Sequence, residues 1–157
     1  MATHKQQLKP RDAVSRMDPY RPPSSGRGGK MRLDFNENTV GCSSRVLERL
    51  KGIAADSLAV YPEYAQALPK FAAHFGVSPE QMALTNGTDE AIQLVVNTYV
   101  NAGDSVIVLR PSYAMYRFYA QLAGARVVEV DYPAGLSFPA KELLGKINAR
   151  TRAVFVA

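Results

Sequence analysis

Apolar residues recur along this chain with two different periods, and the change of period divides it. Val46, Leu47, Leu50, Ile53 and Ala54 share one helical face behind Ser43 or Ser44, either of which can cap the helix. A second helix is predicted over Gln66 to Phe75, where Leu68, Phe71, Ala72 and Phe75 recur at helical spacing. Pro69 falls in its first turn, where a missing N–H costs little, and Gly76 ends it. From Gln81 onward short apolar runs alternate with amphipathic helices. Met82–Thr85 reads as a strand, and Asp89–Asn101 as a helix turning Ile92, Val95, Val96 and Tyr99 inward before the stop at Gly103. Val106-Ile107-Val108-Leu109 is unbroken and rich in β-branched residues, as a strand buried on both faces requires. Ala114–Ala123 is predicted helical and closed by Gly124, Arg126–Val130 a strand, Lys141–Ala149 a helix, and Ala153–Ala157 a further strand. Strands alternating with helices of this length imply an α/β fold on a mainly parallel sheet. The last strand ends without a turn signal, cap or polar tail, so the chain is expected to be cut at a core strand.

The leader has a different character. Residues 1–30 are polar and include Pro22-Pro23-Ser24-Ser25 and three glycines, with too little apolar surface to offset the entropy of ordering. They read as an arm, loose or laid across something else, and residues 1–30 are expected to be poorly packed. The chain's net charge of +5 resides there: residues 1–32 carry eight Lys or Arg against Asp12 and Asp18, and the remainder is close to neutral. That argues against a basic groove for nucleic acid on the domain itself. No apolar run approaches the roughly 20 residues of a membrane helix, and nothing resembles a secretory signal, so a cytoplasmic location is expected. An Arg-rich, Ser-rich, acid-poor leader also has the composition of a transit peptide. Cys42 is the single cysteine and reads as a free thiol, while His4 and His74 are read as surface residues rather than metal ligands.

Two segments carry candidate chemistry. Thr85-Asn86-Gly87-Thr88-Asp89-Glu90 lies between a predicted strand and a helix, and Gly87 permits the tight turn. The N–H groups of Gly87, Thr88 and Asp89 would point out of the helix start, where unpaired donors and the positive end of the helix dipole coincide. The dipole term is modest, about 0.3–2 kcal/mol. Asp89 suits such a site if its carboxylate turns back to cap the first turn. The same residues also describe an ordinary capped helix with no ligand. Arg110-Pro111-Ser112-Tyr113 follows the Val106–Leu109 strand and delivers Tyr113 to the sheet edge where α/β proteins bind ligands. A phenol there can stack on a flat heterocycle, worth about 0.5–1.5 kcal/mol beyond burial, or simply pack in the core. A phosphate-binding turn and a stacking ring together fit a phosphorylated aromatic cofactor.

With these residues in view the chain resembles the fold-type-I pyridoxal-phosphate aminotransferases of the histidinol-phosphate group. Asn86-Gly87-Thr88-Asp89-Glu90 and Pro111-Ser112-Tyr113-Ala114-Met115-Tyr116 carry the resemblance. Leu33-Asp34-Phe35-Asn36-Glu37-Asn38 and Tyr61-Pro62-Glu63-Tyr64 look like that group's earlier landmarks, preceded by Asp18-Pro19-Tyr20. The resemblance implies a truncated three-layer αβα fold: an arm over residues 1–32, a helical segment of the small domain and interdomain region over 33–75, and a partial cofactor-binding large domain over 76–157. It implies pyridoxal 5'-phosphate as cofactor, with Gly87, Thr88 and Asp89 cradling its phosphate and Tyr113 stacking on its ring. Tyr61 would reach the phosphate of the neighbouring subunit's cofactor, making the site a property of a homodimer, and Tyr20 and Asn36 would approach the substrate. Thr39 stands where these enzymes usually show proline, so the Asn36–Gly41 loop is expected to take a different shape. The Schiff-base lysine of this group would lie beyond Ala157, so no catalytic residue is assigned within the chain. The implied activity is transfer of an amino group between histidinol phosphate and 2-oxoglutarate in histidine biosynthesis. The implied partners are small amino acids and 2-oxo acids, not nucleic acid, membrane or metal. An aromatic-amino-acid aminotransferase or a threonine-phosphate decarboxylase would share the same cofactor motifs, and a non-enzymatic α/β binding module is the alternative of another class.

Overall fold

A computed structural model describes residues 9–22 and 25–157. The expectations resting on His4, Pro23 and Ser24 lie outside the described residues. The chain forms two compact units, one of residues 9–20 with Thr85–Ala157 and the other of Arg21–Leu84. In chain order the first helices are α1 (Asp12–Ser15), α2 (Ser44–Lys51), α3 (Ala55–Leu58) and α4 (Leu68–Phe75), the last followed by a 3-10 turn at Pro79–Gln81. Then come α5 (Gly87–Tyr99), β1 (Ser105–Arg110), α6 (Ala114–Leu122), β2 (Arg126–Asp131), α7 (Ala140–Lys146) and β3 (Thr151–Phe155).

The three strands make one parallel sheet in the order β2-β1-β3. The central place of β1 follows from its composition, because only an apolar, β-branched run tolerates helices on both faces. Val106 and Val108 turn toward α5 and α6, where they meet Ile92, Val96, Met115 and Ala120. Ile107 and Leu109 turn the opposite way, onto Val130 and Leu143 of α7. Alternation along one strand thus builds two apolar layers, and the unit is a three-layer α/β/α stack on a parallel sheet. The α6–β2 junction needs Gly124, at φ +80, because the Gly124 N–H meets Gln121 O and the Ala125 N–H meets Ala120 O in a left-handed helix stop.

One expectation changes. Met82–Thr85 is not a strand: the segment is without regular structure, and it pairs with no strand among the described residues. Its apolar run satisfied the sequence pattern, but a strand also needs a neighbour for its N–H and C=O groups. Residues 9–20 stay mostly exposed and are laid across the unit as an arm. They form α1 against α6, with the Arg11 guanidinium donating to Leu122 O at 3.0 Å and Tyr20 lying 6.4 Å from the Phe118 ring. A helix C-terminus with unpaired carbonyls supplies the ordering that composition alone does not.

In the Arg21–Leu84 unit, Ser43 stands at the N-cap of α2 by its carbonyl, and its hydroxyl makes no capping bond. The Arg27 guanidinium forks onto Asp34 (2.9 and 3.0 Å) and Glu37 (2.8 and 3.3 Å) and lies 4.2 Å from the Phe35 ring centre. The loop after it is closed by Asn38, whose side chain accepts from the Val40 N–H and donates to Gly41 O.

Candidate functional site

The entry to α5 is built by three short contacts. Asn86, at φ −77 and ψ 71, makes an inverse γ-turn in which the Gly87 N–H donates to Thr85 O at 2.9 Å. Gly87 itself takes φ +77, a left-handed conformation open to glycine and costly to residues with a Cβ. The Thr85 hydroxyl donates to Gly87 O at 3.0 Å, and the Glu90 carboxylate reaches back to the Asn86 N–H. The Gly87 amide is therefore engaged inside the turn. Among the described residues the Thr88 and Asp89 amides have no partner, and they are the donors left facing outward at the start of a thirteen-residue helix.

Sequence reasoning gave the capping task to Asp89, and the structure gives it to Glu90. The two residues are one position apart, about 100° of helical rotation, and only Glu90 lies over the turn. Asp89 is occupied elsewhere: its Oδ1 accepts a hydrogen bond of 2.8 Å from the Tyr113 hydroxyl. This contact joins the helix start to the loop after β1.

Tyr113 follows the cis Arg110–Pro111 peptide and the N-terminal turn of α6 starts on it. Its ring meets Tyr116 edge-on at 5.7 Å and remains 40% exposed. The hydrogen bond to Asp89, aided by partial desolvation and the nearby carboxylate charge, pushes the Tyr113 phenol up to about 12. It therefore stays a protonated donor across the physiological range. Ser112, between Pro111 and Tyr113, has a buried hydroxyl oxygen with no hydrogen-bond partner among the described residues. Burying such a group unpaired is costly, and no periodicity argument could have singled it out.

The neighbouring cations are already matched. Arg110 grips Asp131 through two bonds of 2.6 and 2.9 Å and Glu129 at 3.0 Å, and Arg117 meets the other oxygen of Glu129 at 2.9 Å. The guanidinium holds the Asp131 carboxyl below its ordinary range, and the carboxylates in turn raise Arg110. An anion at this edge would rely on the helix amides rather than on either arginine.

The other candidates are distributed as follows. Tyr20 belongs to the same unit as Asp89 and Tyr113, lies near Phe118 and is half exposed. Asn36 and Tyr61 belong to the Arg21–Leu84 unit. Asn36 has φ 53, a left-handed value that asparagine tolerates better than most residues, and Tyr61 is 96% exposed. The structure thus brings Gly87, Thr88, Asp89 and Tyr113 together. The set suits a ligand carrying both an anion and a flat ring, because two outward amides adjoin an accessible phenol. Among the described residues there is no group of three or more His, Cys, Asp or Glu side chains arranged for a metal, and no helix is long and apolar enough to cross a membrane.

Comparison with known proteins points one way. The family model for aminotransferase class I and II matches residues 28–157. Histidinol-phosphate aminotransferase from Bacillus cytotoxicus is 35% identical over 128 residues, covering 80% of this chain and 34% of that protein. The crystal structure of histidinol-phosphate aminotransferase from Sinorhizobium meliloti, in complex with pyridoxal-5'-phosphate, is 27% identical with a TM-score of 0.58 over 64% of this chain and 28% of its own. N-Succinyldiaminopimelate aminotransferase from Mycobacterium tuberculosis is 29% identical with a TM-score of 0.60 over 71% of this chain and 33% of its own. The chain spans about a third of the length of the curated relatives it matches.

Proposed function

Since the chain belongs to the class I and II aminotransferases, we propose that it forms part of a pyridoxal-phosphate enzyme that moves an amino group between histidinol phosphate and 2-oxoglutarate. The observation that carries this reading is the 2.8 Å bond between Tyr113 and Asp89, which sets a ring-stacking residue beside the outward amides of α5. Histidinol phosphate is favoured as substrate because relatives bearing that name align over four-fifths of the chain or more.

The chain's own residues divide the work. The Thr88 and Asp89 amides bind the cofactor phosphate, with Gly87 setting the turn that aims them. Tyr113 covers one face of the ring, and Tyr20 and Asn36 contact the substrate. Tyr61 serves the phosphate site of a second subunit in a homodimer, a role that its near-complete exposure favours. Bound pyridoxal 5'-phosphate supplies the electron sink for transamination. Residues 33–75 then belong to the small domain and interdomain region, and residues 76–157 to the cofactor-binding large domain.

The test is an assay of the complete protein with histidinol phosphate and 2-oxoglutarate, run beside phenylalanine, N-succinyldiaminopimelate and threonine phosphate as competing substrates. Glutamate formed fastest from histidinol phosphate supports the proposal. Faster turnover of another amine, or carbon dioxide released from threonine phosphate, assigns a different substrate and rejects this one.

A further inference from the structure

The carboxylate of Asp89 raises a difficulty for the site just proposed. It sits in the first turn of α5, where the helix dipole attracts negative charge by about 0.3–1 kcal/mol, and its own backbone amide is one of the two outward donors. A short acidic side chain at this place can fold onto first-turn amides and occupy them, as aspartate does when it caps a helix. It would then compete with any incoming phosphate, and as a like charge it would also repel one. In the structure the carboxylate is turned away from those amides. Its Oδ1 is held at 2.8 Å by the Tyr113 hydroxyl. Glu90, the other acid of this turn, is committed to the Asn86 N–H on the far side of the γ-turn.

We propose that the Tyr113 hydroxyl is a positioning group for the phosphate site, holding the Asp89 carboxylate off the Thr88 and Asp89 amides so that they stay open to the anion. This rests on the reading of those amides as the cofactor phosphate site. Tyr113 then has two separable functions: its ring covers the cofactor, and its hydroxyl governs access to the helix start through Asp89. The phenol is suited to the second task because it remains protonated to about pH 12, so the tether does not add a competing negative charge. The Tyr116 ring packed edge-on against Tyr113 fixes the direction from which the hydroxyl approaches.

The two functions are separated by substitutions that keep the ring. Pyridoxamine 5'-phosphate and pyridoxamine are suitable probes, because neither condenses with lysine and they differ by the phosphate alone. Their affinities for the complete protein are measured by calorimetric titration. Tyr113→Phe is expected to weaken binding of the phosphorylated amine by about three- to tenfold, the size of one ordinary hydrogen bond, and to leave pyridoxamine unchanged. Adding Asp89→Asn to Tyr113→Phe removes the competing charge and is expected to restore the lost affinity. A loss of equal size for both amines assigns the effect to the ring or the fold and overturns the inference. So does a loss that Asp89→Asn fails to reverse, and so does phosphate selectivity that survives Tyr113→Phe intact. Wild-type protein that binds both amines equally overturns the phosphate assignment itself, and this inference with it.

Discussion

At the scale of single residues the site depends on one backbone conformation and one hydrogen bond. Gly87 is held at φ +77, and a Cβ built there meets nothing within 4 Å, so a side chain is opposed by backbone strain and not by a neighbour. Gly87→Val is therefore expected to lower unfolding stability by about 1–2 kcal/mol, the cost of a left-handed residue with a Cβ, and to weaken phosphate binding further by turning the amides. Denaturant midpoints report the first effect, and a variant as stable as the wild type would show that the turn has another conformation available. The Tyr113–Asp89 bond has its own signature. Followed by phenolate absorbance, Tyr113 is expected to ionise near pH 12, and Asp89→Asn to bring it back toward the ordinary value near 10. The sign follows from a raised folded value: the bond's contribution is complete below the ordinary phenol range and disappears as pH rises through about 12. No late-titrating tyrosine in the wild type would contradict the geometry. Much of this site was legible in the sequence, since Gly87 and Tyr113 each lie in a turn after an apolar run. The division of labour between Asp89 and Glu90 was not, because adjacent carboxylates at a helix start have the same composition and differ only in direction. The orphaned Ser112 hydroxyl was equally silent, being defined by what surrounds it.

Among the elements, β1 carries the fold, and its sequence announced it. Among the described residues, eleven of the twelve buried apolar ones lie from Ile92 onward, and Ala72 is the twelfth. Ile107 is fully buried between β1's neighbours and α7, so Ile107→Ala is expected to cost about 2–5 kcal/mol. A smaller loss in urea unfolding would mean that the layer between sheet and α7 collapses readily around the gap. Amide exchange should follow the same gradient, slowest in β1 and fastest in α2, whose residues are all exposed. Protection of α2 equal to that of β1 would sink this expectation. The Arg110–Asp131 pair ties the ends of β1 and β2 together. Asp131 is held low by Arg110, so the tie is present above the ordinary carboxylate range and lost as pH falls through the depressed value. Both groups are exposed, and screening keeps the effect small. Periodicity located α4 through α7 and all three strands within a few residues, and α5, α6 and α7 each bury apolar residues against the sheet. It overcalled Met82–Thr85 and undercalled α1. Both depend on partners distant in sequence, a strand neighbour in one case and the α6 carbonyls in the other, which no local window contains.

For the whole molecule the question is which amine serves the reaction. The chain has seven lysines, and every described one, Lys9, Lys30, Lys51, Lys70, Lys141 and Lys146, is exposed. A lysine that anchors a carbonyl cofactor must sit beside the ring, where neighbours or desolvation activate its amine. Lys141 and Lys146 share a unit with the amides of Thr88 and Asp89, but α7 carries them on the sheet face opposite α5 and α6. Lys9 lies at the exposed start of the described arm, two residues before the Arg11 contact with Leu122. Tyr113, the residue proposed to cover the cofactor ring, hydrogen-bonds Asp89 and packs on Tyr116, and no lysine takes part in either contact. Residues 1–157, prepared alone and mixed with pyridoxal 5'-phosphate, are therefore expected to show no transamination. Borohydride reduction followed by peptide mapping should spread the label over several exposed lysines, each well below one equivalent. The complete protein, with roughly three times this length in its relatives, should concentrate the label on one lysine outside residues 1–157. Stoichiometric labelling of a single lysine within this segment, accompanied by turnover, would place the reacting amine here and require a different geometry around Tyr113.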